Sequence, residues 1–332
     1  MSADGATERS IRPAFVLSLP RSGSTLLQRL IGAHSQVATA AEPWLLLAPL
    51  YALRRDGVFA EYGHGTAYKA LQDLCDGLPN GQDDDLAAVA AMAHHVYGRL
   101  APADATVFLD KTPRYSLVAG ELLRAFPTTP MIVLHRNPLA VLASVSETFD
   151  RGRWQPYLHK VDLYLALERL LAAQADAPER LLAVRYEDLV VEPEATLRGV
   201  LSHLGLDWEP SVLERFTRVS VAGRVGDPTG TVAYDSVSTA SVEKWRTQLS
   251  SPVRKAWCRR YVRWIGADRL RLMGYELDDL LADLSGEAPD WGGAPTDVLH
   301  TVRGVVHNLA DPEVVRAKTA VLPRWREVLG HT

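Results

Sequence analysis

The sequence predicts an α/β fold in which a central parallel sheet is covered by helices on both faces. Short apolar, β-branched or leucine-rich runs recur at residues 14–19, 106–110, 130–135 and 180–185. Between them lie segments whose apolar residues have helical spacing, and strands alternating with helices belong to parallel sheets buried on both faces. The chain has 332 residues, 47% of them hydrophobic and 23% charged, which is enough for a sizeable core of ordinary globular composition.

In chain order, "AFVLSL" (14–19) reads as the first strand and residues 25–33 as the helix that follows it. Residues 87–100 form a helix before the strand "TVFLD" (106–110), and residues 117–126 a helix before "PMIVLH" (130–135). Helices at 139–148 and 158–175 precede "RLLAVR" (180–185). Pro193, Pro210 and Pro228 punctuate the second half, and "AGRVGDPTGT" (222–231) reads as a glycine-bearing loop able to approach a ligand. Residues 251–273, rich in basic and aromatic side chains, read as one solvated amphipathic helix. "SGEAPDWGGAP" (285–295) reads as a linker before two short helical segments, which either pack back on the core or meet another subunit in a homodimer. The expected organisation is a flexible N-terminus over 1–12, a main domain over 13–284, and a linker with a helical C-terminal extension over 285–332.

Composition excludes several classes of function. Thirty-six Lys and Arg face 40 Asp and Glu, a net charge of −4, so no surface is built to hold a nucleic acid by counterion release. The opening residues are polar, no apolar run is long enough to span a bilayer, and the cytoplasm is the expected compartment. Cys75 and Cys258 have no metal-ligand spacing and make no disulfide framework. There is no His/Cys/Asp cluster for a metal and no G-x-S-x-G elbow of a hydrolase.

Four segments carry chemistry. The first, "LPRSGSTLL" (19–27), passes from strand to helix through Pro20, Arg21, Ser22, Gly23, Ser24 and Thr25. A turn of this kind leaves backbone N–H groups free at a helix start, where the helix dipole adds positive potential and an anion can sit. The turn resembles a P-loop without its lysine, since Gly23 is followed directly by Ser24. The second, "VLHRNPLAVLASVSETF" (133–149), puts Arg136 at the carboxyl edge of the sheet and Ser144 two turns into the next helix, where both can hold one phosphate. In the third, "VRYEDLVVEP" (184–193), Tyr186 offers a ring face or a hydroxyl to a base. The fourth, "SVEKWR" (241–246), brings Lys244 and Arg246 to close over a phosphate.

Together, in this order, the segments resemble the sulfotransferases that use 3′-phosphoadenosine 5′-phosphosulfate (PAPS). "PRSGSTLL" is similar to that family's 5′-phosphosulfate loop and "VLHRNPLAVLASV" to its 3′-phosphate motif; "RYEDLV" and "KWR" are similar to later cofactor-binding segments. The resemblance runs over residues 14–250 and is closest to bacterial and Golgi-type members, including sulfotransferase domains of polyketide synthases, which points to secondary metabolism. Arg21 stands where the cytosolic aryl type has lysine, and "VEKWR" stands where that type has a glycine-rich segment.

The resemblance implies a P-loop-like three-layer fold and metal-independent transfer of a sulfuryl group from PAPS to a hydroxyl of a small molecule, lipid, sugar or carrier-bound acceptor. It implies cofactor binding by Arg21, Ser22, Gly23, Ser24, Thr25, Leu26, Arg136, Ser144, Tyr186 and Lys244. Arg21 also stabilises the departing phosphate. Glu42, in "ATAAEPWLLL", is the implied general base, and Lys111, in "FLDKTPRYS", steadies the sulfonate or acceptor. Two other readings of Glu42 and of the Asp110–Lys111 turn are structural: a helix cap and a plain turn. His34 and His64 are alternative bases, and Trp44 and Trp154 line either an acceptor pocket or the core. Two other functions remain as competitors: a kinase using ATP, disfavoured by the missing Gly-Lys pair, and a catalytically silent nucleotide-binding module.

Overall fold

The first apolar run forms strand β1 (Arg12–Ser18) and passes into helix α1 (Ser24–Gly32). The computed structural model describes residues 11–221, 223 and 236–310. After α1 come β2 (Val37–Thr39), α2 (Leu47–Ala52), α3 (His64–Asp76), α4 (Gln82–Leu100) and β3 (Val107–Lys111). Next are α5 (Ala119–Ala125), β4 (Met131–His135), α6 (Pro138–Asp150), α7 (Leu167–Asp176) and β5 (Leu181–Arg185). Helices α8 (Tyr186–Val191), α9 (Pro193–His203), α10 (Val212–Arg215) and α11 (Lys244–Gln248) follow. The described chain ends with α12 (Pro252–Ile265), α13 (Ala267–Leu272), α14 (Leu277–Gly286) and α15 (Ala294–Ala310).

The five strands among the described residues form one parallel sheet in the order β2-β3-β1-β4-β5. Strand order reverses about β1, so a crevice opens beyond its carboxyl end. Alternation along the strands builds two cores. Phe15, Leu17, Phe108, Met131 and Val133 pack on Tyr97, Leu122 and Leu170 of one helical layer. Ala14, Val16, Leu109 and Ile132 face Leu26, Leu30, Leu197 and Val200 of the other. A third cluster joins α6 and α7 to α12 and α14.

Several elements differ from the sequence expectation. Strand β2 was not expected. The segment expected as one helix over 158–175 begins as a 3-10 turn at Pro156–His159 and a π-helix at Val161–Ala166 before α7. Residues 251–273 form two helices split at Gly266 (φ +83°), and α12 buries Cys258, Tyr261, Val262 and Ile265. The expected linker is short, because α14 reaches Gly286 and α15 begins at Ala294. Most of the 222–231 loop, with Pro228, lies outside the described residues, as do residues 311–332.

Helix α15 packs back on the body of the protein. Arg254 grips buried Asp297 with two hydrogen bonds of 2.9 and 3.0 Å, and its guanidinium also donates to the carbonyls of Gly152 and Gln248. Gly304 lies against the ring of Tyr157, where a β-carbon would come within 2.6 Å of Cδ1. No helix among the described residues is long and apolar enough to cross a membrane.

Candidate active site

The turn between β1 and α1 is held open by two left-handed residues, Arg21 (φ +67°) and Gly23 (φ +89°). The carbonyl of Gly23 accepts from the N–H groups of Leu26 (3.0 Å) and Leu27 (3.2 Å), and the N–H of Ser22 donates to the Leu19 carbonyl at 3.4 Å. The amides of Gly23, Ser24 and Thr25 have no acceptor among the described residues. Three donors therefore converge at the positive end of α1. Of the five residues from Ser22 to Leu26 expected to bind the cofactor, Ser22 and Leu26 have amides that are already engaged.

The Tyr186 ring, at the first position of α8, closes one side of this turn: a β-carbon on Gly23 would lie 2.3 Å from Tyr186 Cδ2. Arg136, just beyond β4, lies over the same ring with its Cζ 4.5 Å from the centroid. It donates from Nη1 to the Arg21 carbonyl (3.0 Å) and from Nη2 to the Ser241 carbonyl (2.9 Å). Its Nε is buried with no hydrogen-bond partner among the described residues. The Tyr186 hydroxyl and Ser241 Oγ are 2.7 Å apart, and Arg21 Nε donates to Ser144 Oγ at 3.3 Å. Arg21, Arg136, Ser144, Tyr186, Ser241 and Lys244 all line one cavity of about 470 Å³. Lys244, at the start of α11, is exposed. Among the described residues, three cations face that cavity against a single carboxylate, Glu147.

Glu42 and Lys111 are not among the residues lining that cavity. They lie at the neighbouring strand ends, Lys111 closing β3 and Glu42 following β2. Lys111 Nζ donates to Glu42 Oε1 at 2.7 Å in an ion pair whose side chains are 2% and 11% exposed. The Trp44 indole N–H donates to Oε2 at 3.3 Å. Glu42 caps no helix, since α2 starts five residues later with Leu46 at its N-cap.

The two histidines are held elsewhere. His34 lies just beyond the far end of α1; its Nδ1 accepts from the Gln36 N–H (3.1 Å), so Nε2 carries the proton and donates to the Asp207 carbonyl (2.9 Å). His64 is buried with Nε2 2.7 Å from the Arg54 carbonyl. Arg246 does not close over the cavity either: it pairs with Glu243 and with Asp283 of α14 (3.0 Å), which raises its pKa. Trp154 is fully buried, edge-on to Trp257, whereas Trp44 is 40% exposed beside Glu42.

Three contributors were not assigned from sequence. Ser241 holds Arg136 and Tyr186. Gln28, buried in α1, donates to Thr39 Oγ1 (2.8 Å) and the Ala40 carbonyl (2.7 Å), tying the exit of β2 to the anion-binding helix. Its signal was legible: a glutamine four residues after Ser24, set between Leu26–Leu27 and Leu30–Ile31 on the helix. Asp110 accepts from Tyr97, Tyr115 and Thr112, and burial raises its pKa to about 6.

Residues 13–210 match the model of the sulfotransferase family, a span that holds every residue above from Arg21 to Tyr186 but not Lys244. The chain belongs to that family. It is 31% identical over 291 residues to nodulation protein NoeE of Sinorhizobium fredii, covering 79% of this chain and 65% of that protein. It is 24% identical over 299 residues to protein-tyrosine sulfotransferase 1 of Danio rerio, covering 87% of this chain and 77% of that one. The solved sulfotransferase domain from the curacin biosynthetic pathway overlaps with a TM-score of 0.49 at 24% identity, over 85% of this chain and all of that one. The chain thus spans just under two thirds of the length of NoeE.

Proposed function

We propose that the protein transfers a sulfuryl group from PAPS to a hydroxyl acceptor. The observation that carries this reading is the meeting of Arg21, Arg136 and Lys244 in one cavity beside the unengaged amides of Gly23, Ser24 and Thr25. Such a site suits a ligand with anionic groups at two ends. The residues present fit PAPS: the amides and Arg21 suit the 5′ end, and the buried, unpartnered Nε of Arg136 with Ser144 and Lys244 suits the 3′-phosphate. Tyr186, clamped by Gly23, Arg136 and Ser241, shapes the wall between the two ends.

The bound donor supplies an activated sulfuryl group whose S–O bond to phosphate breaks as the acceptor oxygen forms a new one. Negative charge then grows on the departing phosphate, and fixed N–H donors and the Arg21 guanidinium stabilise it without reorganising. The acceptor proton goes to Glu42. Both carboxylate oxygens already carry a donor, so one must yield, and the longer bond from the half-exposed Trp44 marks Oε2 as the proton acceptor. Lys111 keeps Oε1 in place and presents its charge at the strand edge. No step requires a metal ion, and treatment with a chelator leaves the rate unchanged.

Support for a hydroxyl acceptor comes from the carboxylate base together with the similarity to protein-tyrosine sulfotransferase 1 of Danio rerio, whose name gives tyrosine as its acceptor. The test is mass spectrometry of a hydroxyl-bearing metabolite pool incubated with enzyme and PAPS. Sulfonated products with stoichiometric release of adenosine 3′,5′-bisphosphate (PAP), both abolished in Glu42→Gln, support the assignment. Phosphorylated products formed from ATP, or full turnover by Glu42→Gln, contradict it.

A further inference from the structure

The carboxylate of Asp110 is fully buried and accepts three hydroxyl protons: from Tyr97 at 2.6 Å, Tyr115 at 2.9 Å and Thr112 at 3.0 Å. A hydroxyl that has given its one proton can only accept further bonds. Two of the three do so from the segment that carries Glu42. Thr112 Oγ1 accepts the N–H of Trp44 (3.4 Å), and Tyr115 Oη accepts the N–H of Leu46 (3.2 Å). The Tyr97 hydroxyl donates to Asp110 and, among the described residues, accepts no backbone N–H of that segment.

That segment needs a tether. Trp44 sits at φ +55°, a left-handed conformation that a bulky L-residue avoids unless its surroundings impose it. Its indole N–H is one of the two donors that orient the Glu42 carboxylate. At the other end of the segment, Gln28 fixes Thr39 and Ala40 to α1. The stretch between Ala40 and Leu46 is thus pinned at both ends, and Asp110 dictates which way the hydroxyls at one end point.

We propose that Asp110 is a positioning residue: by taking the protons of Thr112 and Tyr115 it obliges both oxygens to hold the Trp44–Leu46 backbone, which sets the Glu42 carboxylate against Lys111. The catalytic consequence rests on the reading of Glu42 as the base; the tether itself does not.

Three single-hydroxyl deletions separate tethering from general stability. Tyr115→Phe and Thr112→Val each remove one donor to Asp110 and one tether, whereas Tyr97→Phe removes a donor and no tether. Amide hydrogen exchange of the full-length protein is expected to quicken about tenfold at Leu46 in Tyr115→Phe and at Trp44 in Thr112→Val, with neither amide changed in Tyr97→Phe. In steady state, kcat is expected to fall about tenfold in the first two variants with KM for PAPS unchanged, and Thr112→Ser restores both exchange and kcat. Equal exchange at Trp44 and Leu46 in all three deletions overturns the inference, whatever Glu42 does. Faster exchange without loss of kcat leaves the tether standing and overturns its catalytic role. A Glu42→Gln variant measured in parallel shows separately whether the base assignment has failed.

Discussion

The ring of Tyr186 occupies the space that a side chain on Gly23 would need, with Cδ2 only 2.3 Å from the position of a β-carbon there. The first turn of α1 and the first residue of α8 are therefore one packed unit, and the anion-binding amides depend on both. At φ +89°, Gly23 also has a conformation that alanine disfavours. Gly23→Ala is expected to lower stability by about 2–4 kcal/mol, from backbone strain and overpacking together. PAP affinity falls with it, as read by calorimetry. Wild-type affinity in this variant would show that the turn tolerates a displaced Tyr186.

Arg136 makes the second corner through geometry that lysine cannot copy. Its planar fork reaches the Arg21 and Ser241 carbonyls while lying over the Tyr186 ring. Arg136→Lys is expected to weaken PAP binding on the order of 100-fold, because charge is kept but both carbonyl contacts and the stacking are lost. Tyr186→Phe, which loses only the 2.7 Å contact to Ser241, is expected to cost about fivefold. Comparable losses in the two variants would argue against the guanidinium geometry.

The Arg254–Asp297 pair anchors α15, and its carboxylate side chain is only 2% exposed. Arg254→Met strands that carboxylate and is expected to destabilise the protein by about 3–5 kcal/mol. The double variant Arg254→Met/Asp297→Leu is expected to recover much of the loss in a urea titration. No recovery would mean that the contacts of Arg254 to Gly152 and Gln248, rather than the ion pair, dominate.

Two buried groups tilt stability with pH in opposite directions. Burial lowers His135 from 6.5 to about 4, so its contribution is complete above pH 6.5 and is lost as pH falls to about 4. Burial raises Asp110 from 3.8 to about 6, so its contribution is present below pH 3.8 and is lost as pH rises through about 6. Each is worth about 3 kcal/mol. As pH is lowered from 6.5 to 4, wild-type stability should fall by about that amount relative to His135→Gln and rise by about that amount relative to Asp110→Asn. Urea titrations across this range check both signs, and two differences of the same sign would contradict the assignment.

Four of the five strands among the described residues were legible as apolar runs, continuous burial marking β3 and β4 and near-continuous burial β1, whereas edge strand β5 buries only Leu181 and Val184. Strand β2 was not: three residues, Val37–Thr39, give no periodic signal, and their place at the sheet edge is set by pairing with β3 and by the grip of Gln28 on Thr39. The cavity residues Arg21, Arg136, Ser144, Tyr186 and Lys244 were readable because strand ends and helix starts fix where they emerge. Arg246 was misplaced because Asp283, 37 positions away, captures its guanidinium, and no local pattern announces a partner at that distance. The buried hydroxyl cluster on Asp110 escaped for a similar reason, since Tyr97 reaches it from a helix 13 residues upstream.

The most direct test of the account is a calorimetric titration of the full-length protein with PAP and, separately, with ATP, in the wild type and in Arg136→Lys. The account predicts tight PAP binding that collapses in the variant, with ATP binding far more weakly in both. Equal affinity for ATP and PAP, or PAP binding indifferent to Arg136, would contradict it.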